Sequence, residues 1–319
     1  MLLTLLCAAV LLVSPQGQTG ETLDDARKLV ETKDFDGAKK ILESLVAHDG
    51  SKAEYRYQLS RLLAGHYRDL DAAEEQMEKA VEMADGNAEY HFFMGSVYGA
   101  QAQAAGLLSK FSYAKKTKNQ FERAVELQPD SIRYRNALFQ YYIMAPGIVG
   151  GGTDKAKVQA QEVAKRDPFN GHLMLAQVAQ KDDDLGGAEI EFKLAIAVKP
   201  DSWRPHHLLG YLYLQAKRPD DAIAQFQAYT RLAPKDPNSF DSLADGYLAK
   251  GDNDNALKSY LQALGVDPHF PSSLYGSGSC YDKKNMKAEA LQQYREYIAE
   301  NPKGQFTDKA KDRVEELSK

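Results

Sequence analysis

Cysteine is nearly absent. Only Cys7 and Cys280 occur among 319 residues, so a disulfide-stapled scaffold is excluded, and no Cys-x-x-Cys redox or zinc motif can be built. Positive charge is not in excess either. Lys and Arg number 40 against 45 Asp and Glu, for a net charge of −5, whereas a nucleic-acid surface needs a basic patch. Like charges never run longer than Asp182, Asp183 and Asp184. Long apolar runs are missing apart from Leu2 to Val13, 12 residues interrupted only by Thr4 and Cys7. A membrane-spanning helix needs roughly 20. Catalytic signatures are lacking too: no Gly-x-Ser-x-Gly and no His-Glu-x-x-His occurs. The chain is expected not to be an enzyme, to need no cofactor and to bind no metal.

The apolar block is followed by Ser14 to Gln18, with no charged side chain before Glu21. That pattern predicts a secretory signal over residues 1–20 and a periplasmic or secreted chain. The pattern has no Lys or Arg in its first residues, and Gly17-x-Thr19 is its nearest small-residue pair. The other reading of the block is an uncleaved N-terminal anchor. Cys7 follows the bulky Leu6, which makes a poor lipoprotein signal. Cys280, one residue before Tyr281, is expected to be a buried, inert thiol.

What is present is a period. Ala222, Ala256 and Ala290 lie 34 residues apart, as do Phe226, Tyr260 and Tyr294; Tyr213, Tyr247 and Tyr281; and Pro234, Pro268 and Pro302. A fixed period of this length marks stacked helix pairs. Within one unit, Leu209 and Tyr213 share a helix face, Gly210 lets a neighbour approach, and Pro219 suits the first turn of a second helix. Ala222, Ile223, Phe226 and Tyr229 continue at spacings of three and four until Pro234 stops the helix. Each segment of about 14 residues is too short to be stable alone. Burial against the next unit has to supply the stability.

These residues resemble the tetratricopeptide repeat. Its pattern is matched by His206, Leu209, Gly210, Tyr213, Ala222, Phe226, Tyr229 and Pro234, then by Phe240, Leu243, Ala244, Tyr247, Ala256, Tyr260, Ala263 and Pro268. A third copy reads Leu274, Ser277, Gly278, Tyr281, Ala290, Tyr294, Tyr297 and Pro302. Leu175, Ala176, Ala188, Phe192, Ala195 and Pro200 give an upstream copy. The resemblance implies an all-α fold, a right-handed superhelical solenoid of about eight helix pairs with a C-terminal capping helix. Four segments are expected: the signal over 1–20, irregular units over 21–168, regular units over 169–302, and the cap over 303–319. In the irregular part, Gly95, Tyr98, Phe121, Ala124 and Pro129 suggest a unit with about ten extra residues between its helices. Leu138, Tyr141, Ala156, Val163 and Pro168 suggest another whose turn is enlarged by Pro146 to Gly152.

That glycine-rich turn is not a phosphate loop, because Lys155 follows Asp154 instead of Gly and helices flank it. A flexible turn capped by Thr153 or Asp154 is expected. The Ala145-Pro146-Gly147 and Gly150-Gly151 pieces are similar to a turn in bacterial proteins of this repeat type, and the whole chain resembles exported bacterial members. The adjacent His206 and His207 point to different helix faces and cannot share a metal. Asp252 to Asn255 lack the Gly and Glu of a calcium loop and are expected, like Asp182 to Asp184, to form a capped inter-helix turn.

In the resembling family the first helix of each pair lines a concave groove. Carried over by offset, that places Arg204, His207, Tyr211, Gln215, Asn238, Asp241, Asp245 and Tyr275 on the partner-binding face, together with Ser272 and Ser279. Where carboxylate-gripping relatives use Lys and Asn, this chain has His207 with Tyr211 and Asp241 with Asp245. The groove is therefore expected to take a basic or neutral peptide. The functional expectation is a non-enzymatic scaffold that docks another protein or peptide, with no nucleic acid and no membrane contact beyond an uncleaved N-terminus. The alternative is a carrier for an apolar small molecule or lipid held in the widened N-terminal units.

Overall fold

The structure, a computed structural model, describes residues 21–319. The expected signal lies outside the described residues. Among the described residues every regular element is helical, with seventeen α-helices. No helix there is long and apolar enough to cross a membrane. The chain divides into two compact units, one ending at Tyr134 and one running from Arg135 to Lys319.

The first unit contains α1 (Leu23–Glu31), α2 (Phe35–His48), α3 (Ala53–Leu62), α4 (Leu70–Met83), α5 (Ala88–Ala104) and α6 (Leu107–Leu127). The helix α7 (Ile132–Met144) begins here. Ala38, Leu42, Leu59, Leu62 and Ala73 form one buried cluster, and Tyr57, Met77, Ala80, Tyr90 and Tyr98 form another. The extra residues expected between the helices of the α5–α6 pair do not form a loop. Only Ala105 and Gly106 separate α5 from α6, which are 17 and 21 residues long. The stretch after Gly95 is rich in Ala, Gln and Lys, good helix formers, so the surplus lengthens both helices.

The second unit holds α8 (Thr153–Ala164), α9 (Pro168–Lys181), α10 (Leu185–Val198), α11 (Trp203–Gln215), α12 (Pro219–Leu232), α13 (Pro237–Lys250), α14 (Asn253–Val266), α15 (Pro271–Lys283), α16 (Lys287–Glu300) and α17 (Thr307–Leu317). Taken in order, the helices make eight pairs followed by the final helix α17. Inside a pair, a small residue meets an aromatic ring. A Cβ on Gly210 would stand 2.4 Å from Phe226 Cε1, so the ring fits only because that atom is missing. Phe226, Leu209, Tyr213 and Ala222 are buried in one cluster with Phe192 and Ala188 of the preceding pair. The last pair buries Leu274, Ala290, Tyr294 and Tyr297 with Ala310 of α17.

The turn inside six of the eight pairs repeats as well. Lys33, Arg68, Asp183, Lys217, Gly251 and Asn285 all adopt left-handed backbone, and each stands just before the cap of the following helix. At four of these turns the cap is an aspartate: Asp34, Asp69, Asp184 and Asp252 accept the backbone N–H of Gly37, Ala72, Gly187 and Asn255. Asp182–Asp184 and Asp252–Asn255 are thus capped turns.

The Pro146–Gly152 segment is built differently from the expected flexible turn. Gly147–Val149 make a short 3-10 turn, Val149 is buried, and Tyr141 donates its hydroxyl to the Val149 carbonyl at 2.7 Å. Gly150 and Gly152 have φ of 92° and 151°, and a Cβ on Gly151 would lie 1.8 Å from the Ala145 oxygen. All three glycines are needed for the fold of the turn. Neither Thr153 nor Asp154 caps α8. Gly152 holds the cap position with no side-chain bond, because Thr153 is already helical.

Candidate functional site

Exposed aromatic rings and buried or half-buried acids come together on α11 and α13, where Ser273 of α15 reaches Asp241. On α11, steps of four residues put Trp203, His207, Tyr211 and Gln215 on one stripe about 18 Å long. Trp203 stacks on Tyr229 of α12 at 4.9 Å and 16°. His207 stands edge-on to Trp203, Tyr211 and Tyr229, with centroids 6.1, 5.1 and 5.2 Å away. These contacts fix the rings, yet Trp203 keeps 40% and Tyr211 37% of its surface exposed. Burial lowers the His207 pKa. In the neutral ring Nε2 accepts from Asn238 Nδ2 at 3.4 Å, and the same amide reaches Tyr229 Oη at 3.3 Å.

The neighbouring helix α13 presents Asp241 and Asp245 one turn apart. Asp241 is only 6% exposed and accepts the Ser273 hydroxyl of α15 at 2.6 Å. Asp245 accepts Tyr211 Oη at 2.9 Å and Tyr260 Oη at 3.1 Å. Tyr211 also reaches Ser242 Oγ at 3.2 Å. Among the described residues neither carboxylate has an ion pair. Burial is the largest influence on both. It pushes Asp241 up to about 6, with the nearby Asp245 charge adding and the serine hydroxyls opposing. It raises Asp245 against the opposing hydrogen bonds of Tyr211 and Tyr260. The same burial, beside Asp245, holds Tyr211 and Tyr260 well above the usual phenol range. Two carboxylates are therefore held side by side by neutral donors alone.

The structure brings His207, Tyr211, Asn238, Asp241 and Asp245 together. Arg204 and Gln215 are exposed near the two ends of α11. Tyr275 belongs elsewhere: it stacks on Phe306 at 4.5 Å and 13° and packs against Tyr294 and Tyr297, helping to seat α17. Ser272 is exposed and Ser279 half-buried. His206 turns away from His207 and meets Gln225 Oε1 at 2.8 Å. Trp203, Tyr229, Ser242, Tyr260 and Ser273 belong to the cluster without having been anticipated as part of it. The period holds a signal for the contact across helices, since Tyr211 and Asp245 are 34 residues apart and occupy equivalent places in successive units.

Other features are plainer. A cleft of about 500 Å³ lies in the first unit at α1–α3, lined by Leu23, Ala26, Val30, Phe35, Leu42 and Leu62 with polar neighbours. It is at the first pair, not in the lengthened ones. Cys280 is fully buried, and burial raises its thiol pKa.

A family model described as tetratricopeptide repeat matches residues 23–98, 173–237 and 242–304. The chain is similar to tetratricopeptide repeat protein 37 of Xenopus laevis, 26% identical over 274 residues, covering 83% of this chain and 16% of that protein. It is similar to superkiller complex protein 3 of Homo sapiens, 26% identical over 276 residues, with 83% and 16% covered. The chain spans about a sixth of the length of these curated relatives. Among solved structures, yeast Tom70 aligns with a TM-score of 0.61 and 14% identity over 90% of this chain and 59% of that one. A tetratricopeptide repeat protein from Parabacteroides merdae ATCC 43184 aligns with a TM-score of 0.56 and 15% identity, over 84% and 99%. At such identities the likeness is one of fold alone.

Proposed function

This chain belongs to the tetratricopeptide repeat family, and from that premise we propose that it is a non-enzymatic scaffold that docks a segment of another protein on the α11–α13 face. One observation carries the reading. Trp203 and Tyr211 are fixed by packing yet exposed, with the half-buried His207 between them, and they border carboxylates that no cation of the described chain pairs. Fixed, exposed aromatic rings supply contact area at little entropic cost. The solenoid's own stability does not require them to be exposed, since its packing columns are filled by Leu209, Phe226 and Tyr213. We place the protein outside the cytoplasm, on the strength of the Leu2–Val13 block; N-terminal sequencing of the native protein checks removal of residues 1–20.

The docking reading is tested by panning a library of random dodecapeptides against the purified chain and titrating the enriched peptides. Trp203, the one tryptophan of the sequence, reports binding directly. Saturable fluorescence change, with affinity at least about tenfold weaker in Tyr211→Ala, is the expected result. Peptides that bind the Tyr211→Ala and His207→Ala variants as tightly as the unaltered chain would move docking away from this face.

A further inference from the structure

We propose that the docked segment is recognised through a cationic side chain, an arginine, that lies over the Tyr211 ring and pairs with Asp245. The inference rests on the docking reading above and specifies the chemistry of the partner.

Among the described residues the face lacks a cation paired with its carboxylates. Asp241 and Asp245 sit one turn apart on α13, where like charges repel. Some half-buried carboxylates of the second unit are matched by cations, Glu189 by Lys193 and Arg218 and Asp282 by Arg313, while Asp236 is met, like Asp245, by a tyrosine hydroxyl, and also by a backbone N–H. At Asp241 and Asp245 the donors are all hydroxyls, from Tyr211, Tyr260 and Ser273. Each Asp245 oxygen accepts one such bond, which leaves lone pairs on both for a second donor. Tyr211 keeps about a third of its surface exposed, its hydroxyl touches Asp245, and edge-on contacts with Phe226 and His207 hold its ring in place. A partly exposed aromatic ring beside a half-buried carboxylate complements a planar guanidinium, which can stack on a ring and donate to an acid together. Lysine can supply the charge but not the stacked fork.

The other surfaces of the face fit a polypeptide and not a lone ion. The stripe continues from Tyr211 to Trp203 for eight residues of helix, about 12 Å, and the His207 ring between them is held neutral by burial. A segment anchored by its arginine at Tyr211 would run past Trp203, whose free ring face accepts an apolar neighbour. Asp241, deeper and tied to Ser273, adds negative potential without needing to be touched.

The test uses the full chain and a dodecapeptide enriched from the random library, in three versions: as selected, with the arginine replaced by citrulline, and with it replaced by lysine. Citrulline keeps the planar shape and loses the charge. The expected result is that enriched peptides share an arginine, that citrulline weakens binding about tenfold or more, and that Asp245→Asn erases this difference. Lysine should fall between the two. Tyr211→Phe, which keeps the ring, should retain most of the arginine preference, and urea unfolding of each variant checks that it is folded. Enriched peptides without a cation, or an unchanged affinity for the citrulline peptide, would overturn the arginine assignment while leaving the face as a docking site. Binding insensitive to Tyr211→Ala and His207→Ala would remove the docking reading as well. N-acetylarginine methylamide binding as tightly as the peptide would make the site a receptor for a free cation and overturn the docked segment.

Discussion

Asp241 should cost the fold stability at neutral pH, and replacing it by asparagine should return that stability. Burial raises its pKa from 3.8 to about 6. Above pH 6 the folded chain must hold an ionised carboxylate that the unfolded chain ionises more readily, a cost of about 3 kcal/mol at full expression. A folded pKa raised in this way stabilises the protonated form. The penalty is complete above about pH 6, shrinks as pH falls, and vanishes below about pH 4. The side-chain oxygen of the replacement amide can still accept the Ser273 hydroxyl, and the amide is uncharged. We expect Asp241→Asn to be more stable than the parent by about 1–3 kcal/mol at pH 7.5 and equal to it at pH 3.8 or below. Asp245 is raised in the same direction and remains in both chains, so their difference reads the burial of Asp241 together with its repulsion from Asp245. Trp203 fluorescence during urea unfolding reads the second unit specifically. An asparagine variant that is no more stable at pH 7.5, or a difference that ignores pH, would refute the reasoning. A carboxylate kept where an amide is more stable is what a binding surface predicts.

Three further outcomes are expected. Gly210→Ala should lower the unfolding midpoint by about 1–3 kcal/mol of stability, because its methyl would meet the Phe226 ring at 2.4 Å; an unchanged midpoint would mean the ring can step aside. Lys217→Gly should stabilise by about 0.5–1 kcal/mol by relieving a left-handed backbone at φ 56°, read in the same urea titration. In a Cys7→Ser background, Cys280 should react with a thiol reagent only on unfolding, since it is buried with a raised pKa; rapid native labelling would contradict its place in the core.

The repeat columns were legible because they are packing columns. Ala222, Phe226 and Gly210 must be small, large and small for the helices to touch, and that requirement is written at every period. The capped turns were legible for a similar reason, although the left-handed residue before each cap was not, since Lys33, Arg68, Asp183, Lys217, Gly251 and Asn285 mix basic, acidic, amide and glycine positions. The glycine-rich turn misled. Its glycines suggested flexibility, but two carry positive φ and the third clears a carbonyl, so the turn is ordered by what glycine permits. On the candidate face, offsets placed His207, Tyr211, Asn238, Asp241 and Asp245 together, since equivalent residues of successive pairs become neighbours. Tyr275 fell out of that group because α17, which has no counterpart in the period, is preceded by Phe306, whose ring covers it. Trp203 lies four residues before His207 and was within reach of the spacing, whereas its stack on Tyr229 depends on ring geometry that spacing does not encode.

The central claim is that a partner segment lies on the α11–α13 face. A photo-crosslinking amino acid at Gln215, exposed on the same stripe, is to be compared with one at Ala224, exposed on α12, in the native source. The account predicts one partner crosslinked from Gln215, competed away by the selected arginine peptide and lost in Tyr211→Ala. The same partner crosslinked from Ala224 and not from Gln215 would contradict it.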